Sequence, residues 1–300
     1  MADKEKEKEK DPGQPEKAKK AKPGGRRPDV ATFAGLLLAT TGILGGLILE
    51  GGSLKDIGQV TAAIIVLGGT FGAVLVSCPM KVVMGAMKKL ASVFFEKGSS
   101  LDAIVDEIIG YATSARKNGI VSLEKEAAAA QDPFLRKALN LAVDGTDLHE
   151  LRKMMELEMA VEEHRTESEV KVFEAAGGYS PTIGIIGAVL GLIQVMKNLS
   201  NIDAVGHGIA VAFVATVYGV AFANIVFLPA ASKIKARAQE EMQMRELVLE
   251  GVVGIVEGLN PKLIRSKLEA YARPDPKSAP PAVEEEKKGK GKGKKPAQEA

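Results

Sequence analysis

The sequence predicts an all-α integral membrane protein, with four transmembrane helices in two pairs and a cytoplasmic helical domain between spans 2 and 3. Three observations predict it. Four uncharged, apolar runs, residues 30–49, 57–80, 175–196 and 204–232, each reach the roughly 20 residues that a helix needs to cross a bilayer core. They fall into two close pairs, whereas a single such run could be a buried helix of a soluble protein. Positive charge is also asymmetric. Arg26 and Arg27 precede the first run, Lys81, Lys88 and Lys89 follow the second, and Lys233, Lys235 and Arg237 follow the fourth. The short connections 50–56 and 197–203 offer only Lys55 and Lys197. Lys and Arg near span ends stay on the cytoplasmic side, so both termini and the long middle segment are expected there.

In chain order, residues 1–28 alternate Lys and Glu among several prolines and are too charged for a signal peptide. They read as a disordered cytoplasmic tail, because such a segment cannot bury enough apolar surface to offset its chain entropy. Residues 29–80 hold the first two spans. Gly42 with Gly46, Gly68 with Gly72, and Gly187 with Gly191 form GxxxG pairs, which predict close helix packing and an oligomer. Cys78 is the single cysteine, so no intrachain disulfide is possible.

Residues 81–174 show helical spacing throughout. Leu101, Ile104, Val105 and Ile108 form a stripe, with Ser99 or Ser100 as its cap and the Asn118-Gly119 pair as its end. Asp132-Pro133 reads as a cap followed by the first helical position. A long helix is expected from Thr146 or Asp147, with nothing to stop it before Gly177, so it should run straight into the third span, the first of the two in 175–232. A second rod, 234–259, should leave the fourth span within the C-terminal helical region 233–272. Residues 273–300 end in a Lys-rich, Gly-interrupted run and read as a second disordered tail.

The sequence carries no catalytic constellation. His149, His164, His207 and Cys78 have no metal-ligand spacing, and no phosphate-cradling Gly-Lys-Ser/Thr loop is present, so neither an enzyme nor a cofactor is expected. The spans offer mechanics instead. Pro181 and Pro229 should kink their helices at one shared depth, since a proline removes a helix hydrogen bond and crowds the preceding turn. Thr182 and Thr216 place hydroxyl oxygens that can ligate or relay a cation without burying a charge. His207, near the outer face, is the only residue in these runs suited to a proton relay, so an ion route would need a carboxylate from a partner helix.

At four places the chain resembles the MotA family of flagellar-motor stator subunits. The segments 180–193 (SPTIGIIGAVLGLI) and 214–219 (VATVYG), the latter followed by Pro229, are similar to that family's third and fourth spans. The segment 115–124 (ARKNGIVSLE) is similar to its rotor-facing part and 257–268 (EGLNPKLIRSKL) to its C-terminal helix. The resemblance covers about residues 30–272 and leaves out only the tails. It implies a ring of five subunits in the bacterial inner membrane around two copies of MotB, whose single span bears the ion-binding Asp. Ion flow would turn the ring, and the ring the rotor, for swimming and chemotaxis. Arg116 and Glu124 would meet charges on the rotor switch-complex protein, helped by Lys117 and Glu126. Pro181 and Pro229 would couple conformation, and Thr182 and Thr216 would line the ion route. Ala188 stands where sodium-type members usually have Thr, which implies protons. The related ExbB/TolQ class, which energises outer-membrane processes, has three spans and lacks the 116–124 segment. A gliding or accessory stator would use the same parts.

Overall fold

The computed structural model describes residues 27–96 and 101–272. Most of the two expected tails, and the expected cap at Ser99 or Ser100, lie outside the described residues. Helix starts follow short polar caps. Asp29 accepts a bond from the Thr32 amide (3.0 Å) and opens α1, Val30–Leu49. A single turn, Leu54–Ile57, closed by a reciprocal Ser53–Asp56 capping box, leads to α2, Val60–Ser77.

The second apolar run is not helical to its end. Cys78 is extended (φ −124°, ψ 139°) because Pro79 disfavours the helical region for the residue before it. A separate helix, α3, Met80–Phe94, follows. Pro79 is thus a third proline in the apolar runs, beside Pro181 and Pro229, and the one that ends a helix. A two-residue antiparallel pairing, Arg27–Pro28 with Phe95–Glu96, ties the entry of α1 to the exit of α3, and the Asp29 amide adds a bond to the Phe94 carbonyl (2.9 Å).

Five more helices complete the fold: α4, Leu101–Asn118; α5, Glu124–Ala129; α6, Pro133–Val143; α7, Leu148–Lys197; and α8, Ile202–Val256, before the terminal α9, Pro261–Ala272. That makes six after α3. Asp132 caps α6 through the Leu135 amide (2.8 Å) with Pro133 at the first position, and Asp147 caps α7 through the His149 amide (2.9 Å). At 50 and 55 residues, α7 and α8 are about 75 and about 83 Å long. Each crosses the membrane with its apolar half and continues as a stalk, so the two expected rods and spans are single helices. The second rod ends at Val256 rather than 259, where Gly258 takes a left-handed conformation (φ +70°) and reverses the chain into α9.

Burial is divided between two main layers. In the stalk domain Ile108, Leu123, Leu139, Leu151, Met155 and Leu268 are fully buried against one another, and each is worth about 1.5–3 kcal/mol relative to exposure. Nearer the spans, Val74, Ala86, Phe173, Ala176, Phe227 and Ala231 form a collar that joins α2, α3, α7 and α8. α1 buries no residue of its own. Four helices long and apolar enough to span a membrane make this an all-α integral membrane fold.

Candidate functional site

The α7 and α8 spans meet backbone to backbone. Buried Ser180, Gly184, Gly187 and Gly191 line one stripe of α7, at a spacing of four, three and four residues. A Cβ added at Gly191 would lie 2.7 Å from the Gly208 carbonyl oxygen and 2.8 Å from the Ala212 nitrogen. One added at Gly219 would lie 2.6 Å from the Ser180 carbonyl oxygen. Only glycine permits such an approach.

This packing sets half-buried Thr216 against the α7 seam, while Thr182 is exposed about half a turn round α7 from it. A Cβ at Gly184, two residues after Thr182, would sit 3.4 Å from the Thr216 Cα. Thr182 donates its hydroxyl proton to the Tyr179 carbonyl (2.8 Å) and Thr216 to the Ala212 carbonyl (3.3 Å). With their protons committed to their own helices, both oxygens keep lone pairs free to accept a proton or contact a cation. Ala188, half-buried, is on the neighbouring turn.

The two prolines are not level with each other. Pro181 packs against Gly219, whereas Leu228, next to Pro229, packs against Gly177, one turn nearer the stalk along α7. Their effects differ too. α7 stays α-helical through Pro181, while α8 loosens into a π-turn, Phe222–Phe227, just before Pro229. A wider turn there relieves the clash between the proline ring and the carbonyl four residues earlier. A second π-turn, Ile64–Gly68, lies in α2 with no proline to announce it.

The charged group lies at the far end of the stalk. Gly119, at φ +83°, ends α4 and turns the chain into a 3₁₀ turn, Ile120–Leu123, whose buried Leu123 anchors the start of α5. Arg116, Lys117 and Glu124 project from this tip, exposed and without an ion-pair partner among the described residues. Glu126 behaves differently. It is half-buried and accepts a bond from the Ser114 hydroxyl (3.1 Å), while its other carboxylate oxygen is buried without a hydrogen-bond partner. The resemblance gives Glu126 as a helper of the rotor contact; its carboxylate lies on the side of α5 that faces Ser114 of α4. Nearby, Tyr111 donates to Glu107 (2.6 Å); burial, then that bond and the charges of Glu107 and Glu126, push its hydroxyl well above the ordinary tyrosine range.

Sequence reasoning also missed a buried charge cluster. Asp29 receives Lys233 (2.6 Å) and Arg237, both from α8 just beyond its span, and Arg237 also bonds the Phe95 carbonyl. Lys233 above all holds the Asp29 carboxyl far below the usual carboxylate range, against an opposing burial effect. The charges on both sides of the first and fourth runs were visible in the sequence, but no spacing rule pairs residues about 200 positions apart.

Glycine-packed spans running unbroken into a charged stalk define a multi-pass membrane protein. Residues 126–247 match the profile of the MotA/TolQ/ExbB proton channel family and residues 33–116 that of the motility protein A N-terminal region. Motility protein A of Bacillus subtilis is 33% identical over 244 residues, which span 81% of this chain and 90% of the relative. Chemotaxis protein PomA of Vibrio alginolyticus is 33% identical over 81% of this chain and 95% of its own length. The C. jejuni MotAB structure superposes with a TM-score of 0.78 at 32% identity, over 84% of this chain and 99% of the matched chain. The flagellar MotAB stator complex from Bacillus subtilis gives 0.75 at 32%, over 80% and 95%. The chain belongs to the MotA/TolQ/ExbB proton channel family, on its motility protein A branch. Its role is that of a flagellar-motor stator subunit, which couples transmembrane ion flow to motility.

Proposed function

We propose that this subunit works in a bacterial inner membrane, with both termini and the stalk in the cytoplasm, as one of five copies around two copies of a MotB-type partner. The partner's single span supplies the ion-binding Asp. Ions pass by Thr182 and Thr216, the α7–α8 pair shifts at the Pro181 and Pro229 levels, and the tip residues Arg116, Lys117 and Glu124 push on the rotor switch-complex protein. No ATP and no catalytic group take part.

The observation that carries this reading is the division of polar groups. The spans hold hydroxyls but neither Asp nor Glu, while unpaired charges of both signs are gathered at the stalk tip. A chain with its own ion site, such as a transporter, would keep an ionisable group in its spans. Uncovered apolar surface supports further copies and a partner helix: Met154, Leu157 and Val161 form one exposed stripe on the α7 stalk, and Ile186, Val189 and Ile193 another on its span. The MotAB complexes to which the fold is similar agree with a MotB-type partner. An ExbB/TolQ-like role fits less well, because this chain has four spans and an intact tip. Exposed charge pairs contribute little lasting affinity, which suits a contact remade at every step.

Reversing both tip charges together, Arg116→Glu with Glu124→Lys, is expected to stop swimming while leaving the protein at its normal level in the membrane. Unchanged motility would remove the tip from the rotor contact. Protons are the proposed ion, since the Ala188 methyl cannot replace a hydroxyl ligand. Swimming speed that follows external sodium rather than the proton gradient would reverse that assignment.

A further inference from the structure

Helix α3 has both of its ends at the edge of the membrane. It starts at Met80, directly after α2 leaves its span through the extended Cys78 and Pro79. It finishes against the entry of α1, where the Phe94 carbonyl accepts the Asp29 amide (2.9 Å) and the Phe94 ring meets Phe33 with centroids 5.7 Å apart. A 15-residue helix, about 22 Å long, that joins two span ends on one side of the bilayer lies along that surface. Its inner face is packed: Ala86 and Val93 are buried with Phe173 of α7 and Ile234 of α8. Its outer face is not. Met80, Met84 and Met87 are 59%, 56% and 49% exposed and form one helical stripe, continued by exposed Ala91. Such a row of apolar side chains is unfavourable in water unless something covers it.

We propose that the outer face of α3 binds anionic phospholipid: the Met stripe enters the acyl boundary of the stalk-side leaflet, and Lys81 and Lys88 hold the phosphate-bearing headgroups. Charge selects this occupant. From Met80 the sequence carries Lys81, Lys88 and Lys89, and no acid before Glu96. Lys89 is turned inward, to Glu169 (3.0 Å) and Glu162 (3.7 Å) of the α7 stalk. Lys81 and Lys88, seven residues apart and so on one side of the helix, are exposed without an ion-pair partner among the described residues. The carboxylates packed nearby are already taken: Glu162 and Glu169 by Lys89 and Arg165, and Asp29 by Lys233 and Arg237. At 100° per residue, Lys81 and Lys88 stand between the Met stripe and Lys89. Apolar groups and charges thus succeed each other toward the stalk as acyl chains and headgroups do. Position agrees with charge. α1, which α3 joins, buries none of its own residues, so the Met stripe continues an apolar surface that lies at membrane depth. Held by lipid in this way, α3 sets the depth of the collar that links the spans to the stalk.

The chain contains no tryptophan, so Met84→Trp adds one reporter to the full stator complex, read against the unsubstituted complex. Both are reconstituted into vesicles of equal parts phosphatidylglycerol and phosphatidylcholine, with bromine on the acyl chains of one lipid or of the other. Bromine quenches indole fluorescence only at contact. Brominated phosphatidylglycerol is expected to quench the added fluorescence at least about twofold more than brominated phosphatidylcholine, because each lysine at the surface attracts anionic lipid. Lys81→Gln with Lys88→Gln is expected to bring the two lipids level at an unchanged unfolding temperature. Ala91→Trp, on the same stripe, gives the reading where Met84→Trp lowers the yield of the complex. Quenching by neither lipid means that water or a second copy covers the stripe, and overturns the proposal. Equal quenching with both lysines present overturns it too, and so does a phosphatidylglycerol preference that survives their replacement.

Discussion

Spans α1 and α7 are both rich in glycine, and they use it in opposite ways. On α7, Gly184, Gly187 and Gly191 each bring backbone or a Cβ of α8 to within 3 Å of where their own Cβ would stand. On α1, Gly35, Gly42, Gly45 and Gly46 have no such neighbour within 4 Å among the described residues. A GxxxG pair therefore permits close approach without ensuring it; the partner helix must present small residues at the same levels, as α8 does with Gly208, Ala212, Ala215 and Gly219. The consequence is mechanical. α7 and α8 are packed as one body through the membrane, whereas α1 is held to that body mainly at its stalk-side end. There, Asp29 grips Lys233 and Arg237, and Phe33 packs on Phe94 with ring centroids 5.7 Å apart.

The largest effect that would break this contrast comes from Gly191→Val. Its branched side chain would have to enter space held by the Gly208 carbonyl and the Ala212 backbone, neither of which can rotate away. Overpacking of this kind costs about 3 kcal/mol or more. The variant is expected to fall to a small fraction of the normal membrane level and to lose its cooperative thermal unfolding in detergent. Gly42→Val meets nothing in its own chain and should keep both properties within about 0.5 kcal/mol of the unsubstituted protein. Equal losses in the two variants would show that α1 is packed as tightly as α7.

The two regions also differ in how far the sequence revealed them. Apolar length and charge placement were enough for the four spans, and the caps Asp132 and Asp147 with the Asn118-Gly119 break marked stalk helices, because these signals are local, whereas the reversal at Gly258 was missed and the second rod carried on to 259. The hydroxyls in the spans directed attention to Thr182 and Thr216 and the resemblance to Arg116 and Glu124, and the fold gathers the second pair at one tip while only Thr216 of the first borders the α7–α8 seam. Side-chain direction was not legible. Glu126 is only two residues from Glu124, yet the turn of α5 aims it at Ser114. Pro79 was hidden at the end of an apolar run, and the Ile64–Gly68 π-turn has no residue signature at all. Asp29, Glu169 and Glu250 depend on partners far away in sequence, so their pairing follows from tertiary packing alone. Glu169, for example, is almost fully buried between Lys89 (3.0 Å) and Arg165 (3.3 Å), against Gly85, where a Cβ would strike its carboxylate.

A smaller and more selective test of the rigid body is Glu250, where α7, α8 and α9 converge. Its carboxylate meets Arg152 at 2.7 Å and Lys267 at 2.6 Å. Burial on its own would raise the carboxyl's pKa, but the two hydrogen bonds and charges outweigh it and hold the group below the ordinary glutamate range. A carboxylate depressed in this way stabilises the fold fully above the unfolded glutamate value of about 4.3, and that contribution fades as pH falls through it toward the lower folded value. Both cationic partners are more than a third exposed, so screening limits the gain to about 1 kcal/mol. Glu250→Gln keeps the shape and removes the charge. At neutral pH it should lower the unfolding temperature of the detergent-purified complex, and by about pH 3 the difference from the unsubstituted protein should shrink, because the unfolded carboxyl is by then mostly protonated and the charged folded form holds less of an advantage over it. A difference that stays constant across that range would mean that the three helices are joined at Glu250 by packing alone. The rigidity of the α7–α8 body would then rest on its glycine seam in the membrane and the apolar core of the stalk, with no ionic fastening between them.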